Sequence, residues 1–330
     1  MKPYKLTPFP HEAIWGGKRL IDAGKKPLFA GADNLAESWE LSFVAGAEAR
    51  CEDGTPVTEA FSRADFGKAA AGMPAFPVLT KFIDAKSKLS VQVHPSDAYA
   101  LAREGQYGKT EMWYVVAADR GAGVYVGLRR KTSKEELARA VREGRIEELL
   151  AFHEARAGDV FFIPAGTIHA IGGGVLLYEI QQNSTLTYRL YDYGRRDASG
   201  AERPLHLEKA LEVAETDAYR PFPKEKNQPE IIGKCKYFLA KRYRFCGELT
   251  LFVSEESYLC ITVIEGYGRI GEQKMRPFDT FFLPAPTSGC ETVRVLADRE
   301  MTLIAVSTER EAEENGSANG THMNAVKGTV

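Results

Sequence analysis

The sequence has no apolar run long enough to cross a membrane as a helix, and its start, Met1-Lys2-Pro3-Tyr4, lacks the hydrophobic core of a signal peptide. It is poor in cysteine: five residues, at positions 51, 235, 246, 260 and 290, with no C-x-x-C spacing. That odd, scattered set gives no disulfide framework and reads as free thiols in a reducing compartment, most of them packing residues. An excess of one charge is also missing, since 43 lysines and arginines face 45 aspartates and glutamates for a formal net charge of −2. The balance gives no support to broad binding of nucleic acid or of a membrane surface. A cytoplasmic location is expected.

What the sequence does have is 330 residues, 44% of them hydrophobic, enough for two modest domains or one large one around a sizeable core. Short β-type segments carry most of the polar chemistry. Ser90-Val91-Gln92-Val93-His94 alternates with period two, which puts Ser90, Gln92 and His94 on one face. Glu111-Met112-Trp113-Tyr114-Val115-Val116, Val160-Phe161-Phe162-Ile163 and Val175-Leu176-Leu177-Tyr178-Glu179-Ile180-Gln181 read as further strands. Helices are expected from Asp97 behind Ser96, over 132–152 behind Thr132 with Glu135 at capping-box spacing, and over 205–214.

The Pro-rich, charged stretch 221–226 reads as a boundary, and β-type segments return at 250–253, 259–264 and 280–283. Gly158-Asp-Val-Phe-Phe-Ile-Pro-Ala is echoed by Pro277-Phe-Asp-Thr-Phe-Phe-Leu-Pro-Ala, which suggests a degenerate second copy of the first barrel. The expected organisation is a catalytic domain over 1–224 with a helical insert around 132–152, a degenerate β domain over 225–308, and a disordered tail over 309–330.

The segment Gly158-x5-Pro164-x-Gly166-x2-His169 has the spacing of the second cupin motif, in which a strand meets a tight Pro/Gly turn and then presents a histidine to a barrel mouth. Gln92-Val93-His94 followed by Glu111 resembles a looser first motif. Gly173 stands where the cupin pattern usually has asparagine. Two imidazoles, one carboxylate and one amide suit a zinc ion with room for a further ligand, so Gln92, His94, Glu111 and His169 are the expected ligands of one Zn2+ per chain. An amide is a weak ligand, and Gln92 could instead stand behind the ligands. His206 reads as a hydrogen-bonded core residue and His153 as a helix-end surface residue, while His11 stays open.

In order along residues 8–195, the chain resembles the type I mannose-6-phosphate isomerases, particularly their short bacterial form. The matching segments include Trp15-Gly16-Gly17, Glu37-Ser38-Trp39-Glu40-Leu41-Ser42, Phe76 to Ala85, Leu89 to Pro95, Gly108-Lys109-Thr110-Glu111-Met112-Trp113-Tyr114, Pro164 to Ile171, Glu179 to Ser184 and Thr187 to Tyr193. The resemblance implies a mainly β, cupin (double-stranded β-helix or jelly-roll) barrel with helical insertions and a second, degenerate cupin-like β domain. It also implies zinc on the four residues above and a catalytic arginine at Arg189, ten residues after Glu179. Ala36 and Thr185 stand where the family has glycine and aspartate. Gly108 stands where longer members have a histidine, so roles given to that histidine or aspartate do not carry over.

The implied reaction interconverts mannose 6-phosphate and fructose 6-phosphate through a cis-enediol, with the metal polarising the substrate oxygens. Arg189 stays charged and is expected to steady the enediolate or orient the substrate. Lys109 and Glu179 join it as catalytic candidates, with Glu179, Lys109 and a metal-bound water as alternatives for the base. Lys81, Ser90 and Arg195 are candidates for substrate or phosphate binding, and Trp15 and Trp39 for the pocket wall. A cupin iron(II) oxygenase would use the same two histidines and carboxylate but has no need of Lys109, Arg189 or Gln92. A sugar-binding cupin without catalysis is the third reading. The oligomeric state stays open.

Overall fold

In a computed structural model, the structure describes residues 1–25, 34–196, 199–221 and 230–309. The mainly β cupin architecture is as expected. A six-stranded antiparallel sheet has the order Val160–Ile163, Glu111–Ala118, Val175–Gln182, Val78–Ala85, Glu37–Leu41, Phe9–His11. It faces a five-stranded sheet ordered Tyr188–Tyr191, Val91–Val93, His169–Ile171, Gly123–Leu128, Leu150–Glu154. Trp15, Ile83, Trp113, Val124, Val126 and Leu177 fill one end of the space between them.

Every residue of Val78–Ala85 and of Val175–Gln182 is buried, because this sheet is covered on both faces. Leu79, Lys81, Ile83, Glu179 and Gln181 point into the barrel. Their neighbours Phe82, Tyr178 and Ile180 pack on Phe282 and Ile304 of a nine-stranded C-terminal sheet and on Phe238 and Tyr258 from the turns that lead into its strands. The seam also carries polar contacts, with the Tyr178 hydroxyl 2.8 Å from Thr262 Oγ1. The N-terminal strand Tyr4–Thr7 joins the C-terminal sheet by pairing with Thr280–Leu283.

The internal echo is a repeated turn. Gly158 N donates to Val115 O and Val115 N to Asp159 O, both at 2.9 Å; Phe278 N donates to Val263 O at 2.8 Å and Val263 N to Asp279 O at 2.9 Å. Gly158 (φ 92°) and Phe278 (φ 71°) occupy the same left-handed position, which glycine takes without cost and phenylalanine only when its surroundings hold it. Phe278 is held by packing edge-on to Phe82 across the seam.

The helices differ in extent from the sequence expectation. Asp97–Glu104 begins behind Ser96 as expected and stops at Gly105, which takes the left-handed conformation. The next helix is only Lys134–Arg142 and is capped by Ser133, whose hydroxyl accepts Glu136 N, rather than by Thr132. Gly144 (φ 67°) ends that region, and the chain returns as the strand Leu150–Glu154, so His153 lies on a strand against Phe161 and not at a helix end. The helix expected over 205–214 spans Leu207–Val213. Cys290–Ser307 forms an eighteen-residue strand that the sequence reading did not separate. The boundary expected at 224/225, and all of the expected tail beyond Glu309, fall outside the described residues. Among the described residues no helix is long and apolar enough to cross a membrane.

Candidate active site

The two facing sheets bring together the residues singled out above. On the five-stranded sheet, Gln92 pairs with His169 on one side and with Arg189 on the other. His94 follows directly, and its carbonyl accepts Gly166 N at 2.8 Å, which ties the Pro164-to-Gly166 turn to the first histidine. Gly166 is held at φ 91°, and a Cβ there would lie 2.9 Å from Glu215 Cγ, so the turn requires glycine. From the six-stranded sheet come Glu111, Lys81 and Glu179, with Lys109 just before Glu111.

Nδ1 of His94 lies 2.8 Å from Leu186 O, and Nδ1 of His169 lies 2.8 Å from Thr167 O. A carbonyl can only accept, so both protons sit on Nδ1 and both Nε2 atoms present lone pairs inward. His94 Nε2 is 3.4 Å from Glu111 Oε2, and His169 Nε2 is 3.3 Å from Glu111 Oε1. His94 Nε2 and Glu111 Oε1 are buried and accept no hydrogen bond, and Glu111 Oε2 has the Lys109 ammonium at 2.8 Å. Lone pairs facing one another in the interior repel unless a cation lies between them. The donor set of His94, Glu111 and His169 lies within 4.8 Å throughout and therefore fits a metal ion.

Burial, reinforced by the Lys109 ammonium, pushes His94 down to about 3 and keeps its imidazole neutral. Burial likewise lowers His169. Burial opposes the charge of Glu111, but the Lys109 ammonium leads the influences that outweigh it and hold the carboxyl well below its usual range. Neutral imidazoles with an ionised carboxylate are the protonation states a metal ion requires. Gln92 Nε2 lies 3.3 Å from His169 Nε2, beside the set but outside the group of converging acceptors. Turning its amide would present Oε1 instead.

A cavity of about 290 Å³, lined by Gln92 and Lys109 among others, opens beside this donor set. Trp39, Lys81, Glu179 and Trp113 stand in one row across four strands. Lys81 Nζ lies 3.0 Å from Glu37 Oε2 and 3.2 Å from Glu179 Oε1. Lys109 Nζ lies 2.8 Å from Glu111 Oε2 and 3.5 Å from Glu179 Oε1. The two indole N–H groups point at the same acids, Trp39 Nε1 to Glu37 Oε2 at 2.7 Å and Trp113 Nε1 to Glu179 Oε2 at 2.8 Å. Burial works against the Lys81 charge, yet Glu179 and Glu37 raise it above the ordinary lysine range.

Across the cavity, Arg189 donates through Nε to Ser90 Oγ at 3.3 Å and through a terminal nitrogen to Pro204 O at 2.9 Å, both neutral acceptors. Burial and the nearby Arg203 charge lower its pKa. Arg195 is turned to Asp192 and to the carbonyl of Lys88 and does not line the cavity. Arg203 does line it, with its guanidinium held on Asp192 at 2.8 and 2.5 Å. Sequence reasoning missed both Arg203 and Glu37; Glu37 lay within a matched segment, whereas Arg203 lay beyond the matched region. His11 sits at the rim, stacked on Trp39 with ring centroids 6.0 Å apart, and His206 accepts Arg189 N at 3.2 Å.

No protein-family model matches the chain. It is 35% identical over 300 residues to the mannose-6-phosphate isomerase of Streptococcus mutans, covering 86% of this chain and 92% of that protein. To mannose-6-phosphate isomerase ManA of Bacillus subtilis it is 36% identical over 303 residues, covering 86% and 93%. The crystal structure of the mannose 6-phosphate isomerase from Bacillus subtilis matches with a TM-score of 0.79 at 31% identity, over 93% of this chain and 99% of that one. The enzyme from Salmonella typhimurium, at 15% identity and a TM-score of 0.71, shares the fold over 94% of this chain and 100% of its own. The chain belongs to the mannose-6-phosphate isomerases, a family of aldose–ketose isomerases.

Proposed function

We propose that this chain interconverts mannose 6-phosphate and fructose 6-phosphate in the 290 Å³ cavity, in the cytoplasm, with one zinc ion held by His94, Glu111 and His169 and completed by Gln92. The observation that carries the reading is the set of converging buried acceptors, faced by Lys109 at one carboxylate oxygen only, beside a cavity walled by two lysines and two arginines. Bound there, zinc would supply Lewis acidity toward the substrate's C1 and C2 oxygens.

The chain's own residues divide the remaining work. Glu179 Oε1 accepts no hydrogen bond and faces the cavity wall between two ammoniums, while Oε2 is fixed by the Trp113 indole. Glu179 is assigned the proton transfer on the open-chain sugar. Oε1 takes the proton from C2, and the electron pair left behind forms the C1–C2 double bond as the C1–O1 π bond opens onto O1. O1 takes a proton from solvent, balanced by the one O2 later releases, to give the cis-enediol. Returning the proton from Oε1 to C1, with loss of the proton on O2, yields the ketose. Lys81 and Lys109 face the negative charge that develops on the way. Arg189 and Ser90 orient the substrate, and Arg203 with Arg189 provides two cations for its phosphate, a role expected of Arg195 but better served by Arg203 at the cavity wall.

The test is isomerisation of mannose 6-phosphate in D2O. Deuterium should enter the carbon skeleton with wild-type protein, and Glu179→Gln should lose both isomerisation and exchange while keeping its metal content. Exchange that survives in Glu179→Gln would move the base elsewhere.

A further inference from the structure

Lys109 owes its place to a short irregular segment whose every residue is held. Ser184 Oγ donates to Tyr107 O at 2.8 Å, and Gly108 N donates to Asp97 Oδ1 at 2.9 Å. Lys109 N donates to Pro95 O at 3.0 Å, and Thr110 N to Gln182 Oε1 at 2.7 Å. Asp97 is the one charged member of this frame, and its Oδ1 also accepts Gln182 Nε2 at 3.0 Å. The contact depends on Gly108 having no side chain, because a Cβ there would lie 2.4 Å from Pro95 O and 2.6 Å from Asp97 N.

The other oxygen of Asp97 accepts the hydroxyl of Tyr237, which comes from the turn between Ile231–Lys234 and Leu239–Ser254 of the C-terminal sheet. That turn is itself fixed: Cys235 N donates to Phe238 O at 2.9 Å, Thr308 Oγ1 donates to Tyr237 O at 3.0 Å, and Phe238 is buried in the seam. A continuous line of contacts therefore runs from the C-terminal sheet through one phenol and one carboxylate to the backbone that presents Lys109.

We propose that Tyr237 and Asp97 are positioning residues for Lys109, so that the C-terminal sheet takes part in catalysis by setting where that ammonium stands. This rests on the reading that Lys109 acts on the substrate. A hydrogen-bonded frame around a short segment fixes geometry that packing alone would leave loose, and a displacement of a reacting group by about 1 Å can cost on the order of 10²-fold in rate. Tyr237 touches neither the cavity nor the metal donors, so its effect has to pass through the 107–110 segment.

The test uses full-length, metal-loaded protein and the variants Tyr237→Phe, Asp97→Ala and Asp97→Asn, with kcat, KM, metal content and melting temperature measured for each. Tyr237→Phe and Asp97→Ala should lower kcat about tenfold while KM stays within about twofold and the metal is retained. Asp97→Asn keeps an acceptor toward Gly108 N and should recover most of the loss. If Tyr237→Phe lowers only the melting temperature, or loses activity together with metal, the proposal is overturned, and Tyr237→Phe decides this even where Asp97→Ala does not fold. Lys109→Ala run alongside separates the two claims: wild-type kcat in that variant would defeat the reading of Lys109 itself.

Discussion

Lys81 stands directly opposite Glu179 on the neighbouring antiparallel strand, its ammonium 3.2 Å from that carboxylate and 3.0 Å from Glu37 on the other side. All three side chains are nearly inaccessible, at 9, 3 and 12% exposure, so the charges are compensated by one another rather than by water. Removing the middle one leaves Glu179 with Lys109 at 3.5 Å and Glu37 with only the Trp39 indole within hydrogen-bond reach among the described residues. Lys81→Met should destabilise the fold by about 3–5 kcal/mol, measurable as a lower urea midpoint; an unchanged midpoint would show that the carboxylates are compensated in another way.

Glu37 gives this cluster a pH signature. Burial opposes its charge, but Lys81, His11 and the Trp39 indole together lower its pKa. A carboxyl depressed in the folded state stabilises the protein above its unfolded value, about 4.3, and the contribution is lost as pH falls through the lower folded value. The difference in unfolding free energy between the wild type and Glu37→Gln should be widest at neutral pH and close on acidification below about pH 4. A difference independent of pH between 3 and 7 would contradict it.

Gly108 should tolerate no side chain. The atoms a Cβ would strike are backbone, Pro95 O at 2.4 Å and Ser96 C at 2.5 Å, and neither can rotate away. Gly108→Ala should cost about 1–3 kcal/mol and lower kcat by shifting Lys109, with metal content unchanged. Gly108→His, which puts a larger side chain at the same place, should do worse.

Arg203 should act on binding. Loss of one charge-assisted contact to a phosphate is worth about 1.5–3 kcal/mol, so Arg203→Gln should raise KM for mannose 6-phosphate by about tenfold or more while kcat changes little. Asp192, which holds Arg203 at 2.8 and 2.5 Å, should show a weaker effect of the same kind as Asp192→Asn. A kcat effect without a KM effect would exclude a phosphate role.

The candidate site was legible where side-chain chemistry coincides with local spacing. The period-two run through Gln92 and His94 and the Gly166 turn before His169 state their geometry directly, and the structure brings them against Glu111. Residues whose roles arise from long-range pairing were not legible. Glu37 lies 44 positions from Lys81, and Tyr237 lies 140 positions from Asp97. Arg203 replaced Arg195 at the cavity because Asp192 turns both guanidiniums, a choice local spacing does not contain. In the fold, the strand Cys290–Ser307 escaped notice because Asp298, Arg299 and Glu300, which fall at the register shift between the pairs Gly247–Ala297 and Phe245–Met301, interrupt its apolar pattern. The helix behind Ser133 was overextended because Gly144 and the strand after it lie within an otherwise helical composition.

The most direct measurement is turnover of mannose 6-phosphate by protein stripped of metal, verified by elemental analysis, and then titrated with zinc. Activity should fall by at least about a hundredfold on stripping and return at one equivalent per chain, and His169→Ala should neither retain the ion nor recover. Full activity in verified metal-free protein, or recovery unaffected by His169→Ala, would contradict the assignment of His94, Glu111 and His169 as a catalytic metal centre.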